Sequence, residues 1–194
     1  MQNLFLQLFN LLKCYLDKPL ENKDMKNSIV KTITRNAVVA AIYFLLTVAA
    51  QPISFGPIQI RLAESLVLLC FFRRDFTFGL TIGCLLANLF SPFMPWDLLI
   101  GTLATFLSCI LVSYCKHLAF ATLIPVVING FAIGSEISFI FNYNEMGYWA
   151  TTGFIFLGEF LSVSVIGYLL YLLVKRNKSF YDAIDANKNV DYKW

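Results

Sequence analysis

Arg61 and Glu64 are the first residues in this chain whose types and placing suggest chemistry. They close the stretch 51–64, QPISFGPIQIRLAE, and lie three apart, so a helix starting there puts both on one face. Pro52 and Pro57 forbid a continuous helix through it, and Gly56-Pro57 is a turn signal. Further along, Asn88, Asp97, Asn129, Ser135, Glu136 and Glu159 are polar side chains set in apolar runs, with Asn129 and Glu136 seven apart and hence on one helix face. Gln59 adds an amide beside Arg61. An ionisable group placed at the centre of a membrane helix costs about 3 kcal/mol on insertion scales and is usually turned to a protein interior or a cavity. The competing reading is structural, with Arg61 paired to Glu64 or Glu136 and Asn129 cross-linking helices. Convergence of all these side chains on one pocket favours binding. Nothing points beyond binding to catalysis: there is no nucleophile with a base, no HExxH, no glycine-rich phosphate loop and no His or Cys cluster for a metal. The chain is not expected to be an enzyme.

The segments that carry these residues are strongly apolar. Apolar residues make up 58% of the 194 and charged residues only 14%, with a mean hydropathy of +0.69; a soluble domain carries about 25% charged residues. The expected fold is an all-α integral membrane protein, a six-transmembrane-helix bundle with spans near 29–50, 58–72, 76–90, 97–114, 118–141 and 148–174. Basic residues concentrate on the cytoplasmic side of membrane proteins. With both termini cytoplasmic, every one of the 15 lysines and arginines except Arg61 falls inside. Residues 1–28 are read as an interfacial amphipathic helix and a cytoplasmic linker, 29–175 as the substrate-binding membrane domain, and 176–194 as a cytoplasmic tail. The N-terminal helix presents Leu4, Phe5, Leu8, Leu11, Leu12 and Tyr15 on one broad face but is too short to span a bilayer core of about 30 Å.

That topology places the polar residues between the outer surface and the midplane, and leaves the inner halves of the spans almost without polar side chains. Gln51, Gln59, Arg61, Glu64, Asn88 and Asp97 lie at the outer ends of their spans, Asn129 and Glu136 in the middle and outer half of the fifth, and Glu159 near the midplane of the sixth. The five cysteines read as small hydrophobes in membrane helices and His117 as a loop residue. Small residues four apart let helices approach closely: Ala37 and Ala41, Gly79 and Gly83, Gly130 and Gly134. From spacing alone all three pairs read as internal packing.

The combination of AxxxA (Ala37, Ala41), PISFGPIQIRLAE (52–64) and GLTIGCLLANLFSP (79–92) resembles the queuosine-precursor transporter family, QueT-type. WDLLIGTLAT (96–105), NGFAIGSE (129–136) and Gly158-Glu159 look like its later signatures, so the likeness covers about 37–173. These are substrate-binding S components of energy-coupling factor (ECF) transporters in the bacterial cell membrane. The resemblance implies capture of a 7-deazaguanine compound from outside, then assembly with a transmembrane coupling protein and two cytosolic ATPases. It also implies that the Ala37 and Ala41 face contacts the coupling protein. No cofactor is expected in this chain, ATP being consumed by the partners, and no nucleic-acid partner.

A deazaguanine edge presents an N–H and an NH2 side by side, with a carbonyl acceptor. Either Glu136 or Glu159 suits those donors in a charge-assisted pair. Asn88, Asn129, Gln59 or Arg61 suits the carbonyl and ring nitrogen, and Phe55 and Trp96 are candidates to stack on the ring. If the ligand carries an amine, Glu64 or Asp97 is placed to pair with it. The alternative is a self-sufficient secondary transporter, which often shows inverted repeats; none is evident here.

Overall fold

In a computed structural model, residues 26–56, 58–141 and 147–184 are described. The expected N-terminal amphipathic helix, most of the 142–147 loop and the end of the tail lie outside them. Every described element is helical, and among the described residues there is no strand. The helices are α1 (Lys26–Ala49), α2 (Gln51–Ser54), α3 (Leu62–Phe72), α4 (Phe76–Asn88), α5 (Trp96–Tyr114), α6 (Leu118–Ile140), α7 (Tyr148–Val174) and α8 (Lys178–Ile184). Four of them, α1 from Ile29, α5, α6 and α7, are long and apolar enough to cross a membrane. The chain is a multi-pass membrane protein. At about 1.5 Å per residue, the 13 residues of α4 reach only about 20 Å, against a bilayer core of about 30 Å.

Each expected apolar segment is a helix within a few residues of its expected bounds, because uninterrupted apolar runs leave the backbone no partner but itself. The breaks are chemical. Pro52 sits in the first turn of the short α2, where its missing N–H costs nothing. Arg61 is extended (φ −90°, ψ 95°), and α3 starts behind it as a 3-10 turn from Leu62 to Leu68. Arg61 therefore precedes the helix, a departure from the expected shared face with Glu64. α6 widens to π geometry at Glu136–Ile140, and α7 does so at Phe160–Gly167, immediately after Glu159. Such π segments occur often at functional sites.

Helix contacts are set by the glycines. A Cβ on Gly79 would sit 2.6 Å from the Asn36 carbonyl oxygen, and one on Gly83 would sit 2.8 Å from that of Ala40. Both therefore face α1, and Asn36 Oδ1 accepts the Gly79 N–H at 2.8 Å across that seam. Gly130 meets Phe156 and Gly134 meets Thr152, so α6 lies close on α7. These two pairs are internal packing, as their spacing suggested. Ala37 and Ala41 are different: both are exposed, in a stripe with Ile33 and Leu45.

The core runs through Tyr43, Val67, Phe76, Leu80, Cys84, Cys109, Val112 and Val163. At the end of the bundle that carries Arg73, Arg74 and Lys175, Phe72 stacks on Tyr171 with ring centroids 6.1 Å apart. There α8 turns Ile184 into the core, and Tyr181 meets Phe72 edge-on at 5.8 Å. A cavity of about 320 Å³ opens at this end between α1, α3, α7 and α8. It is lined by apolar side chains such as Val38, Leu69 and Leu170, and no candidate binding residue reaches it.

Candidate functional site

The polar side chains gather toward the opposite end of the bundle, where α3, α4, α5, α6 and α7 converge. Gln59, Arg61, Glu64, Asn88, Asp97, Asn129, Glu136 and Glu159 are all buried. Arg61 is the centre of charge. It donates from Nη2 to Asp97 at 2.9 and 3.2 Å, the two side chains being 3% and 1% exposed. Its guanidinium lies 5.1 Å from the ring centroid of Phe55, which is also buried. The same charge acts on Glu64, Glu136 and Glu159. Of the four buried acidic side chains in this cluster, Asp97 is the one hydrogen-bonded to Arg61. Asn129 lies beside both Glu64 and Glu159.

Two kinds of polar residue separate here. Asp97 and Asn88 are held in the framework: Asn88 Nδ2 donates to the Asp97 carbonyl at 2.9 Å, to Thr102 Oγ1 at 3.3 Å and to Cys84 Sγ at 3.4 Å. Arg61 is paired with Asp97, neither Glu64 nor Glu136 being its hydrogen-bond partner. The second kind retains bonding capacity. Both oxygens of Glu136, Oε2 of Glu64 and of Glu159, Oδ1 of Asn129 and Nε2 of Gln59 are buried without a hydrogen-bond partner among the described residues, and so are Asn88 Oδ1 and Arg61 Nε of the framework group. Buried polar atoms are nearly always bonded, and leaving one unmet costs about 1–3 kcal/mol. Several such atoms together mark a place where a bound molecule or water completes the bonding. Among the described residues no group of histidine, cysteine and acidic side chains is arranged to hold a metal ion.

Local backbone brings the 55–61 segment onto this cluster. Gln59 has φ 50°, the left-handed region that a non-glycine residue enters at some cost. A Cβ on Gly158 would collide with the Ile58 carbonyl oxygen, so the loop rests directly on α7 beside Glu159. Trp96 is 44% exposed, whereas Phe55 is buried against the Arg61 guanidinium. Tyr43 and Thr105 escaped the sequence reading. The Tyr43 hydroxyl donates to Glu64 Oε1, and Thr105 Oγ1 donates to the same oxygen at 3.1 Å. Their only signal in sequence is a hydroxyl inside an apolar helix, which is too common to single out.

Residues 33–176 match the model of the QueT transporter family. The chain belongs to the QueT transporter family. The matched span contains all the candidate binding residues together with Ala37 and Ala41. A QueT relative from Lactococcus lactis subsp. cremoris (strain MG1363), "Queuosine precursor transporter QueT", is 32% identical over 168 residues, which is 78% of this chain and 97% of that protein. No solved structure matches.

Proposed function

We propose that this chain is the high-affinity substrate-binding S component of an ATP-driven ECF-type uptake transporter in the bacterial cell membrane. Its cargo is a 7-deazaguanine precursor or salvage form of queuosine. In this reading the bundle crosses the membrane six times with both termini cytoplasmic. The pocket faces outward, and the exposed Ala37 and Ala41 stripe receives the transmembrane coupling protein, which joins two cytosolic ATPases. The family match and the Lactococcus relative named as a queuosine precursor transporter support the cargo class.

The observation that carries the reading furthest is the excess of buried carboxylates. Asp97 is bonded to Arg61, which leaves Glu64, Glu136 and Glu159 with unmet acceptor capacity. A site of this kind selects a ligand rich in donors. Glu136, with both oxygens unpartnered, is assigned the paired N–H and NH2 donors of the deazaguanine edge. Gln59 Nε2 donates to the ring carbonyl, Asn129 Oδ1 accepts from a ring N–H, and Phe55 stacks on the ring. Glu64 is assigned an amine on the cargo, which favours the aminomethyl over the cyano precursor. Asp97 is already committed to Arg61 and drops out of that role.

Equilibrium binding to the purified, detergent-solubilised chain tests this. The panel is aminomethyl- and cyano-deazaguanine, queuine, queuosine, guanine and riboflavin. Tight binding confined to the deazaguanines is the expected result. Binding of riboflavin alone, or of nothing, overturns the cargo. Uptake by the isolated chain in vesicles without ATPase partners overturns the ECF assignment in favour of secondary transport.

A further inference from the structure

Glu64 is fully buried, and its two oxygens are treated differently. Oε1 accepts from the Tyr43 hydroxyl on α1 and from Thr105 on α5, while Oε2 has no partner among the described residues. The direction of the bonds is set by proton count. Cys84 donates its thiol proton to Thr105 Oγ1 at 3.3 Å, which leaves the single threonine proton for Glu64. Tyr43 has one proton, and its ring, 1% exposed, is held in place where α4 packs tightly on α1: a Cβ on Gly83 would lie 2.9 Å from Tyr43 Cβ. The other charged or titratable groups that bear on Glu64 are Arg61, Glu159, Cys84 and Cys109. Two donors arriving at one oxygen from different helices lock the rotation of the carboxylate. Its remaining acceptor lobes then belong to Oε2.

We propose that Tyr43, with Thr105, is a positioning residue that holds Glu64 with Oε2 turned to the cargo, and so sets the preference for an amine-bearing deazaguanine over one without an amine. The inference rests on the assignment of Glu64 to the cargo amine. An ammonium brings three donors and a charge to Oε2, whereas a nitrile brings only an acceptor. Without Tyr43 the carboxylate loses one of its two fixed donors, and its free oxygen is no longer held in a single direction.

The test compares affinities of the full chain for aminomethyl- and cyano-deazaguanine in wild type, Tyr43→Phe, Thr105→Val, Glu64→Gln and Tyr43→Phe/Glu64→Gln. Wild type is expected to prefer the aminomethyl compound, and Glu64→Gln to remove that preference. Tyr43→Phe is expected to lower the preference about ten-fold, the worth of a hydrogen bond to a charged group. In the Glu64→Gln background the same change is expected to alter it by less than about two-fold, because coupled residues are non-additive. Thr105→Val should act in the same direction and serves where Tyr43→Phe does not fold. A Tyr43→Phe protein that weakens both compounds equally has lost only packing, and that result overturns the proposal while leaving Glu64 in its role. A wild-type preference that survives Glu64→Gln overturns the role of Glu64 and this proposal together. Failure of wild type to bind either compound overturns this proposal, and failure across the whole deazaguanine panel, queuine and queuosine included, overturns the function itself.

Discussion

Removing Asp97 and removing Arg61 should have unequal costs, and the inequality measures how the buried charges are shared. The two side chains meet at 2.9 and 3.2 Å and are 1% and 3% exposed, so neither has water to fall back on. Taking one partner from a buried ion pair costs about 3–5 kcal/mol, most of it from the charge left behind. In Asp97→Asn that charge is Arg61, whose cluster still holds the buried side chains of Glu64, Glu136 and Glu159. The loss should therefore fall at the low end, about 3 kcal/mol. In Arg61→Met, Asp97 is stranded and the other three carboxylates lose their counter-charge, so the loss should reach about 5 kcal/mol or more. The double variant Arg61→Met/Asp97→Leu removes the stranded aspartate and should recover part of that loss, but not all, because the three glutamates remain. The assay is reversible unfolding in mixed micelles by titration with SDS, followed by tryptophan fluorescence without ligand. Equal costs for the two single variants, or costs below about 1 kcal/mol as for exposed pairs, would show that the charges are solvated and the argument wrong.

Glu136→Gln should weaken deazaguanine binding about ten-fold or more, since both oxygens of Glu136 are free to bond the ligand. Glu159→Gln should have the smaller effect, and isothermal titration of both variants settles the order; unchanged affinity in both would sink the assignment. Gly158→Ala forces a methyl group against the Ile58 carbonyl. Lifting the loop is expected to lower stability by about 1–3 kcal/mol and to speed ligand release, as read by stopped-flow fluorescence. Ala37→Leu enlarges an exposed face. Binding by the isolated chain should be retained while uptake in cells falls, and full uptake would remove Ala37 from the coupling surface. Gly83→Leu, by contrast, drives a side chain into Ala40 and Tyr43 and should lower the yield of folded protein, as seen by size-exclusion chromatography.

Much of the frame is legible in sequence because a membrane allows the backbone few options. Long apolar runs must satisfy their own hydrogen bonds, so the helices could be placed from composition and from breaks at Pro52 and Pro57. The gathering of polar residues toward one end of the bundle was legible for the same reason. A polar side chain is costly anywhere else in such a helix, and counting residues from each break gives its height. The glycine pairs were legible as seams, and Gly79 and Gly83 do face α1. The α8 helix was not, since seven residues of a mixed tail carry no clear period and its form rests on Ile184 and Tyr181 finding the core.

Height along a helix was thus within reach of the sequence, and rotation about it was not. Arg61 and Glu64, three apart, invite pairing, yet Arg61 bonds Asp97, 36 positions on, and Glu64 accepts from Tyr43, 21 positions back. A 3-10 start to α3 places Arg61 ahead of the first turn, and the close approach of α1 to α4 at Gly83 sets Tyr43 in the core. Spacing within one helix determines which side chains share a face; which face meets which neighbour depends on packing all of the helices at once. The sequence by itself determined that this chain is a helical membrane protein of the QueT type with its polar groups at one end. Only the tertiary structure decided which of those groups bind one another, and which carboxylate oxygens remain for a ligand.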